Sequence, residues 1–169
     1  MPVTLRPARD EDATTVATIW ESAWRDGHLG HVTDELVAIR TPQDFRSRAA
    51  AMTARTTVAS ADGAIAGFVT IAGDEVEQVF VDAASRGSGI ADALLTAAEQ
   101  QIAAAGHQTA WLAVVAGNTR ARRFYERRGW TDDGAFDYAA QRPGGTINVP
   151  CHRYVKRVAA DSGRVAAGG

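Results

Sequence analysis

A glycine-rich turn between a predicted strand and a predicted helix is the first segment whose residues could do chemistry. It has the sequence Arg86-Gly87-Ser88-Gly89-Ile90-Ala91 and follows an apolar, β-rich stretch. Free backbone N–H groups at a helix N-terminus attract anions, and glycine lets the main chain approach a ligand closely. The turn therefore predicts an anion site built from the backbone, although a tight turn without a ligand would use the same residues.

Two common phosphate-binding motifs do not fit this turn. The P-loop needs a lysine directly after its glycines, and the only lysine in the chain is Lys156. The dinucleotide fingerprint needs a third glycine and an early strand–helix–strand unit, and the spacing here provides neither. A nucleotide-binding module is therefore disfavoured.

Two carboxylates precede the turn on the same predicted strand. Glu75 and Glu77 lie two residues apart, so they share one face of the strand. A carboxylate in this position can remove a proton from an ammonium group, directly or through water. Two solvated carboxylates beside a turn would show the same spacing, so both interpretations stay open.

Two histidines have a spacing that resembles part of a metal site. His28 and His31 lie three residues apart with Asp34 nearby, but Gly27 and Gly30 argue against a continuous helix there. No further ligands converge in the sequence, so no metal is predicted.

The elements that would position these residues follow from hydrophobic periodicity and turn residues. Asp10 is the predicted N-cap of a first helix of about four turns, which Gly27 and Gly30 would end. Further helices are predicted at 42–52, 90–105 and 119–128. Strands are predicted at 3–7, 57–60, 65–71, 76–81, 109–115, 136–140 and 151–157. This order predicts an α/β fold with a mixed sheet.

Composition sets the outer limits of function. A chain of 169 residues with 46% hydrophobic and 22% charged residues suits one globular domain, assigned to 1–158. The tail from 159 is small and polar and is predicted to be disordered. A net charge of −2 gives no indication of nucleic-acid binding, and the single cysteine, Cys151, excludes an intrachain disulfide. Without a signal pattern or an apolar run long enough to span a membrane, a cytoplasmic protein is expected.

Two segments together resemble the signatures of the GNAT superfamily of N-acetyltransferases. The acyl-CoA loop of that family has Arg or Gln, two residues, Gly, one residue, then Gly or Ala, and 86–91 resembles it. The other signature places an Asn after the fifth strand, before a helix that carries Phe-Tyr and ends in Gly-Phe or Gly-Trp, and 118–130 is similar. The resemblance extends over about 3–157, is specific within 75–130, and is closest in style to the small-molecule, phosphinothricin-type and amino-acid acetyltransferases.

The resemblance implies a single-domain GNAT fold. Its sheet would be mixed but mostly antiparallel, with six to seven strands, about four flanking helices, and splayed fourth and fifth strands. It also implies an acetyl-CoA site. In the family the fourth strand pairs with the pantetheine arm, the glycine loop wraps the pyrophosphate, and the Asn bonds the cofactor arm. The expected cofactor-binding residues are therefore Val79, Phe80, Val81, Arg86, Gly87, Ser88, Gly89, Ile90, Ala91, Asn118 and Arg123.

Acetyl transfer from a thioester needs a neutral amine, an oxyanion donor and a proton for the leaving thiolate. The resemblance places Tyr125 near the thioester sulfur as the proton donor, although an aromatic on an amphipathic helix could simply belong to the core. It places Glu75 where some members carry a base, with Glu77 as the second candidate and ordered water as the alternative. The oxyanion donor would be the amide of Phe80 or Val81. The acceptor side would contain Trp24, His28 and His31, although Trp24 could also be a core residue.

The implied reaction is direct attack in a ternary complex by the primary amine of a small molecule, an amino acid or a related amine. The alternatives are acetylation of a protein N-terminus or lysine, and a non-catalytic acyl-CoA-binding regulator. A homodimer is compatible with the family. No metal, nucleic acid or membrane partner is implied.

Overall fold

The computed structural model describes residues 2–159. In chain order it contains β1 (Thr4–Pro7), α1 (Ala13–His28), α2 (Asp34–Ile39), α3 (Pro42–Met52), β2 (Thr56–Ala61), β3 (Ala64–Ala72), β4 (Glu75–Val81), α4 (Ile90–Ala104), β5 (Thr109–Val115), α5 (Thr119–Arg127), β6 (Thr131–Arg142) and β7 (Gly145–Arg157). Single 3₁₀ turns occur at Asp10–Asp12, Thr53–Arg55 and Ala83–Ser85. Residues 160–169 of the tail predicted to be disordered lie outside the described part of the chain.

The seven strands form one mixed sheet in the order β1-β2-β3-β4-β5-β7-β6. All neighbours are antiparallel except β4 and β5, which are parallel and are connected through α4. These two strands are in register only at Glu75 and Trp111. From Val76 to Val81, β4 pairs with β3 alone. The predicted splay is confirmed, and it leaves one edge of the β4 main chain without a strand partner.

Alternating residues divide the core into two layers, one on each face of the sheet. Val58 and Phe68 pack with α1, α2 and α3, whereas their neighbours Ala59 and Val69 pack with α4 and α5. The fold is therefore a three-layer α/β sandwich, as the order of elements predicts.

Two predictions for the first helix are wrong. Asp10 is not its N-cap, because Asp10 lies in the 3₁₀ turn, and the helix begins after Asp12. Gly27 does not end the helix, which continues to His28. A Cβ at this buried glycine would lie 2.9 Å from Asn118 Nδ2. Glycine is needed here for close approach to the β5–α5 loop and does not act as a helix breaker.

The segment between α1 and α3 contains a helix that was not predicted. The six-residue α2 begins after Thr33, whose hydroxyl accepts a hydrogen bond from Leu36 N at 3.3 Å. The next helix, α3, begins as predicted, with Thr41 Oγ1 accepting from Asp44 N at 3.1 Å and proline at its first position. The described chain thus has five helices where about four were expected.

The last two strands are much longer than predicted and form one hairpin. Its register runs from the pair Arg142–Gly145 to the pair Thr131–Val155, with a bulge between Asp132 and Ala135. An Arg142–Glu35 ion pair of 2.7 Å joins its tip to α2. The hairpin therefore extends beyond the carboxyl end of β5, where it forms part of the wall of a small cavity.

Candidate acyl-transfer site

A cleft of about 550 Å³ lies between β4, the turn after it and helix α5. Ten of the predicted cofactor and catalytic residues line this cleft: Val79, Phe80, Val81, Arg86, Gly87, Gly89, Ile90, Ala91, Asn118 and Tyr125. They come from β4, the turn after it, α4 and α5 with its N-cap, and the close approach of α1 at Gly27 completes the wall. The two segments identified in the sequence therefore face each other across one space.

The glycine turn presents free backbone donors to the cleft. Gly87 and Gly89 have φ angles of 78° and 85°, which disfavour any other residue. Gly89 is the N-cap of α4, and no side chain caps the helix. The first helical hydrogen bond of α4 runs from Ala93 N to Gly89 O at 3.1 Å. Among residues 2–159 the amides of Ile90 and Ala91 have no acceptor, so they can bind an anion.

Asn118 is held in place as the N-cap of α5. Its Oδ1 accepts a hydrogen bond from Ala121 N at 3.2 Å, and its Nδ2 lies beside Gly27. The acceptor half of the amide is thus committed to the helix. The Nδ2 donors have no partner within the described part of the chain, which leaves them free for a ligand in the cleft.

Tyr125 belongs both to the core and to the cleft wall. Its ring packs against Phe124, Trp130 and Tyr154, at centroid distances of 5.3, 6.2 and 6.3 Å. Burial raises the pKa of the Tyr125 hydroxyl far above its ordinary value, so the phenol stays protonated at neutral pH. No residue in the range 2–159 hydrogen-bonds with this hydroxyl. It is a neutral donor without a protein partner.

Two predicted cofactor residues do not line the cleft. The Ser88 hydroxyl donates to the carbonyl of Ser85 within its own turn. Arg123 is exposed, and Arg120 and Arg127 line the cleft instead. With about 100° of rotation per residue, Arg120 and Arg127 point within roughly 20° of each other, while Arg123 lies about 60° to one side.

The charged side chains at the mouth of the cleft are largely compensated. Arg86 pairs with Asp26 of α1 at 2.6 Å. Arg128 stacks on Phe124 at 4.1 Å and bonds with Asp92, whose carboxyl pKa it holds below its usual range. Arg120 and Arg127, which also line the cleft, form no such bond with any residue from 2 to 159.

A second, smaller cavity of about 100 Å³ is also lined by β4. Gln78 lines the small cavity and the next residue, Val79, lines the cleft. Four predicted residues line the small cavity: Trp24, His28, Glu75 and Glu77. His31 does not. It is exposed, and its ring lies against Gly117, beside Asn118.

The two carboxylates predicted as bases differ in environment. Tyr138 Oη donates to Glu75 Oε2 at 2.7 Å. Burial raises the pKa of Glu75 above its ordinary value, although this hydrogen bond opposes the shift. Glu77 forms an ion pair with Arg55 at 2.8 Å. Glu75 is therefore the carboxylate better suited to accept a proton.

His28 is a neutral imidazole in the wall of the small cavity. It stacks on Trp24 at 4.7 Å, and its Nδ1 lies 2.9 Å from the Trp24 carbonyl oxygen. Burial lowers the pKa of His28 to about 4. A neutral ring that donates from Nδ1 leaves Nε2 as a hydrogen-bond acceptor, and its low pKa makes it a weak base.

Two arginines of the small cavity were not identified from the sequence. Arg40 and Arg48 flank Asp44 at spacings of four residues, and both line the cavity. Their side chains are 3% and 18% exposed. The i, i+4 spacing around Asp44 was the available signal, but it is also typical of ordinary surface ion pairs.

No group of three or more His, Cys, Asp or Glu side chains within the described range is arranged to hold a metal ion. None of the helices described here is long and apolar enough to cross a membrane.

Comparisons with known proteins agree with this architecture. Residues 15–130 match the model of the acetyltransferase (GNAT) family. A GCN5-related N-acetyltransferase (aminotransferase, class-II) from Rhodopseudomonas palustris is 20% identical, with a TM-score of 0.73 over 93% of this chain and 96% of that one. The yncA protein from Salmonella typhimurium, solved with its cofactor acetyl-CoA, is 17% identical, with a TM-score of 0.71 over 98% and 99%. The paia N-acetyltransferase from Thermoplasma acidophilum, solved with coenzyme A, is 17% identical, with a TM-score of 0.68 over 93% and 99%. No curated protein sequence gives a significant match.

Proposed function

Because the chain belongs to the GNAT family of acetyltransferases, we propose that it transfers the acetyl group of acetyl-CoA to the primary amine of a small molecule. The observation that carries this proposal is a pair of cavities lined by successive residues of β4, Gln78 and Val79. One is a long cleft with backbone donors at its end, and the other is a small cavity that contains a buried carboxylate.

Acetyl-CoA fits the chemistry of the cleft. The main-chain edge of Val79–Val81 that faces away from β3 has no strand partner, so it offers hydrogen bonds to the amides of the pantetheine arm. The free amides of the glycine turn and the first turn of α4 suit the pyrophosphate, with Arg120 and Arg127 beside them. The acetyl-CoA and coenzyme A bound in two structural neighbours support this assignment.

Residues that line the two cavities supply the proton transfers of direct acetyl transfer. Glu75 accepts a proton from the ammonium of the acceptor, which frees the amine lone pair for attack on the thioester carbonyl. The amide of Phe80 or Val81 is the proposed donor to the oxyanion. As the new C–N bond forms and the C–S bond breaks, Tyr125 donates its hydroxyl proton to the departing thiolate. As the intermediate collapses, its nitrogen loses the second proton, which re-protonates Tyr125, and Glu75 later releases its proton to solvent. The products are the acetylated amine, free coenzyme A and one proton.

The acceptor side favours a small molecule. The second cavity holds only about 100 Å³, and helix α2 and the β6–β7 hairpin form part of its wall. A protein substrate would need an open groove for the residues that follow its reactive amine. A small cavity with walls from these elements suits a free amine better.

Calorimetric titration of acetyl-CoA tests the cofactor site. Wild type should bind, and Gly89→Trp should not, because the indole would fill the turn that holds the pyrophosphate. Gly63→Trp is the matched control, since Gly63 has a similar φ of 78° and open space around it, but lies in the β2–β3 turn. Failure of folded wild type to bind acetyl-CoA would contradict the proposal.

Release of free thiol then separates an enzyme from a non-catalytic acyl-CoA-binding protein. Purified wild type should release coenzyme A from acetyl-CoA when a suitable amine is added. Binding without amine-dependent thiol release, over a panel of small amines and peptides, would favour the binding protein.

A further inference from the structure

Two arginines line the small cavity, and they share a single carboxylate that lies between them in the sequence. Arg40 Nη1 lies 3.2 Å from Asp44 Oδ2, within hydrogen-bond distance. Arg48 Nη1 reaches the same oxygen only at 4.0 Å. A single carboxylate therefore serves two guanidinium groups, and the short bond belongs to Arg40.

Arg48 has no hydrogen-bond acceptor among the residues the structure describes. Its guanidinium lies 4.5 Å over the ring of Trp20 and lines the cavity. The nearby carboxylate of Glu77 is engaged by Arg55. A guanidinium carries five N–H donors in a planar fork that matches a carboxylate or a phosphonate, and leaving such a group buried without acceptors is costly. Although burial lowers the pKa of Arg48 to about 10, the group remains charged at neutral pH.

A negative group lies elsewhere in the same cavity. Glu75 lines it with Tyr138, whose hydroxyl donates to the Glu75 carboxylate at 2.7 Å. Arg48 lines the same cavity as this Glu75–Tyr138 pair. The cavity thus contains both a carboxylate that can accept a proton, Glu75, and a cation without a hydrogen-bond acceptor in the described structure, Arg48.

We propose that the acceptor amine also carries an anionic group, such as a carboxylate or phosphonate, and that Arg48 binds this group while Glu75 receives the ammonium. This inference rests on the proposed function, because it names the class of acceptor for the same site. A zwitterion matches both ends of the cavity within about 100 Å³. A simple amine gives the N–H donors of Arg48 no acceptor, and a polyamine adds a second positive charge to the cavity.

The test compares each L-amino acid with the amine that lacks its carboxylate, for example leucine with isoamylamine and phenylalanine with phenethylamine. Wild type should acetylate the acid-bearing member with a kcat/KM higher by about 10- to 150-fold, the range expected for a charge-assisted hydrogen-bonded pair. Arg48→Gln should remove this preference mainly through KM, and Arg48→Lys should restore part of it.

Arg46→Gln is the matched control, since Arg46 is on the same helix but exposed, and its guanidinium donates only to Gln43, at 2.9 Å. It should leave the preference intact. Equal rates of wild type on acids and amines would overturn the inference without any variant, even if Arg48→Gln does not fold. An equal loss by Arg48→Gln on both members of a pair would overturn it too. Neither outcome affects the proposed function, which fails only if wild type binds no acetyl-CoA or acetylates no amine.

Discussion

Glu75 is the residue whose environment is most informative about pH dependence. Burial places the pKa of its carboxyl group above the ordinary value, and only the ionised form accepts a proton from the acceptor. We expect kcat/KM to rise with pH through the pKa of Glu75, and Glu75→Gln to lose this acidic limb together with about 10²- to 10⁴-fold in rate. Glu77→Gln is the control, because Glu77 is paired with Arg55, and it should keep the limb. Retention of the limb in Glu75→Gln would argue for ordered water as the base.

The same substitution should change stability in the opposite direction to activity. A carboxyl pKa raised by folding means that the folded chain binds the proton more tightly than the unfolded chain. The resulting penalty is present above the folded pKa and disappears as the pH falls below the unfolded value. Glu75→Gln keeps an acceptor for Tyr138 and carries no charge. Its Tm should therefore exceed that of wild type at pH 8, and the difference should shrink as the pH is lowered.

The hydroxyl of Tyr125 can be removed without loss of a protein hydrogen bond in the described structure. The free energy of unfolding of Tyr125→Phe should stay within about 0.5 kcal/mol of the wild-type value. Its kcat should nevertheless fall by about 10²-fold or more if the hydroxyl is the proton donor. Tyr154→Phe provides the reverse pattern, because the Tyr154 hydroxyl accepts from Arg122 and donates to Glu126, both at 3.1 Å. That control should lose about 1 kcal/mol of stability. Normal activity in Tyr125→Phe would assign the ring to the core alone.

At the scale of elements, the strand–turn–helix unit from β4 to α4 is where local sequence was most informative. Gly87 and Gly89 require left-handed backbone, and the helix that follows has a strong apolar face, so both its position and its free amides could be predicted. Helix α2 could not be predicted, because six residues carry too little periodicity and its formation depends on the Thr33 cap and on burial of Leu36. Residues of the hairpin such as Gly145 and Pro150 are weak strand formers, so only 136–140 and 151–157 were predicted as strands.

A single added methyl group can test the contact between α1 and the β5–α5 loop. A methyl group at Gly27 would lie 2.9 Å from Asn118 Nδ2, the amide nitrogen that faces the cleft. Gly27→Ala should improve helix propensity by about 1 kcal/mol, which offsets much of the strain and keeps the chain folded. The displaced amide should weaken acetyl-CoA binding, which calorimetry would measure. Unchanged affinity would show that Asn118 acts only as the helix cap seen in its bond with Ala121.

At the scale of the whole molecule, the order of elements predicted the α/β fold and its mixed sheet, but it did not predict the small cavity. Arg48 and Glu75 line one cavity because α3 packs against α1 beside the sheet. Those contacts join residues far apart in sequence, and no local pattern records them. The cofactor turn could be predicted because one short segment forms it, whereas the acceptor site depends on tertiary packing of six or more elements.

The cleft also spans the molecule, since its walls come from α1 on one face of the sheet and from α4 and α5 on the other. A ligand that binds only the folded chain stabilises it by about 2.7 kcal/mol at a concentration of 100 Kd. For a domain of this size we expect a rise in Tm of about 5–10 °C with acetyl-CoA. Gly63→Trp should keep the full rise, and Gly89→Trp should lose it even if both variants unfold at the same temperature without ligand. A rise retained in Gly89→Trp would place the stabilising site away from the glycine turn, because mass action then requires binding that the indole does not block.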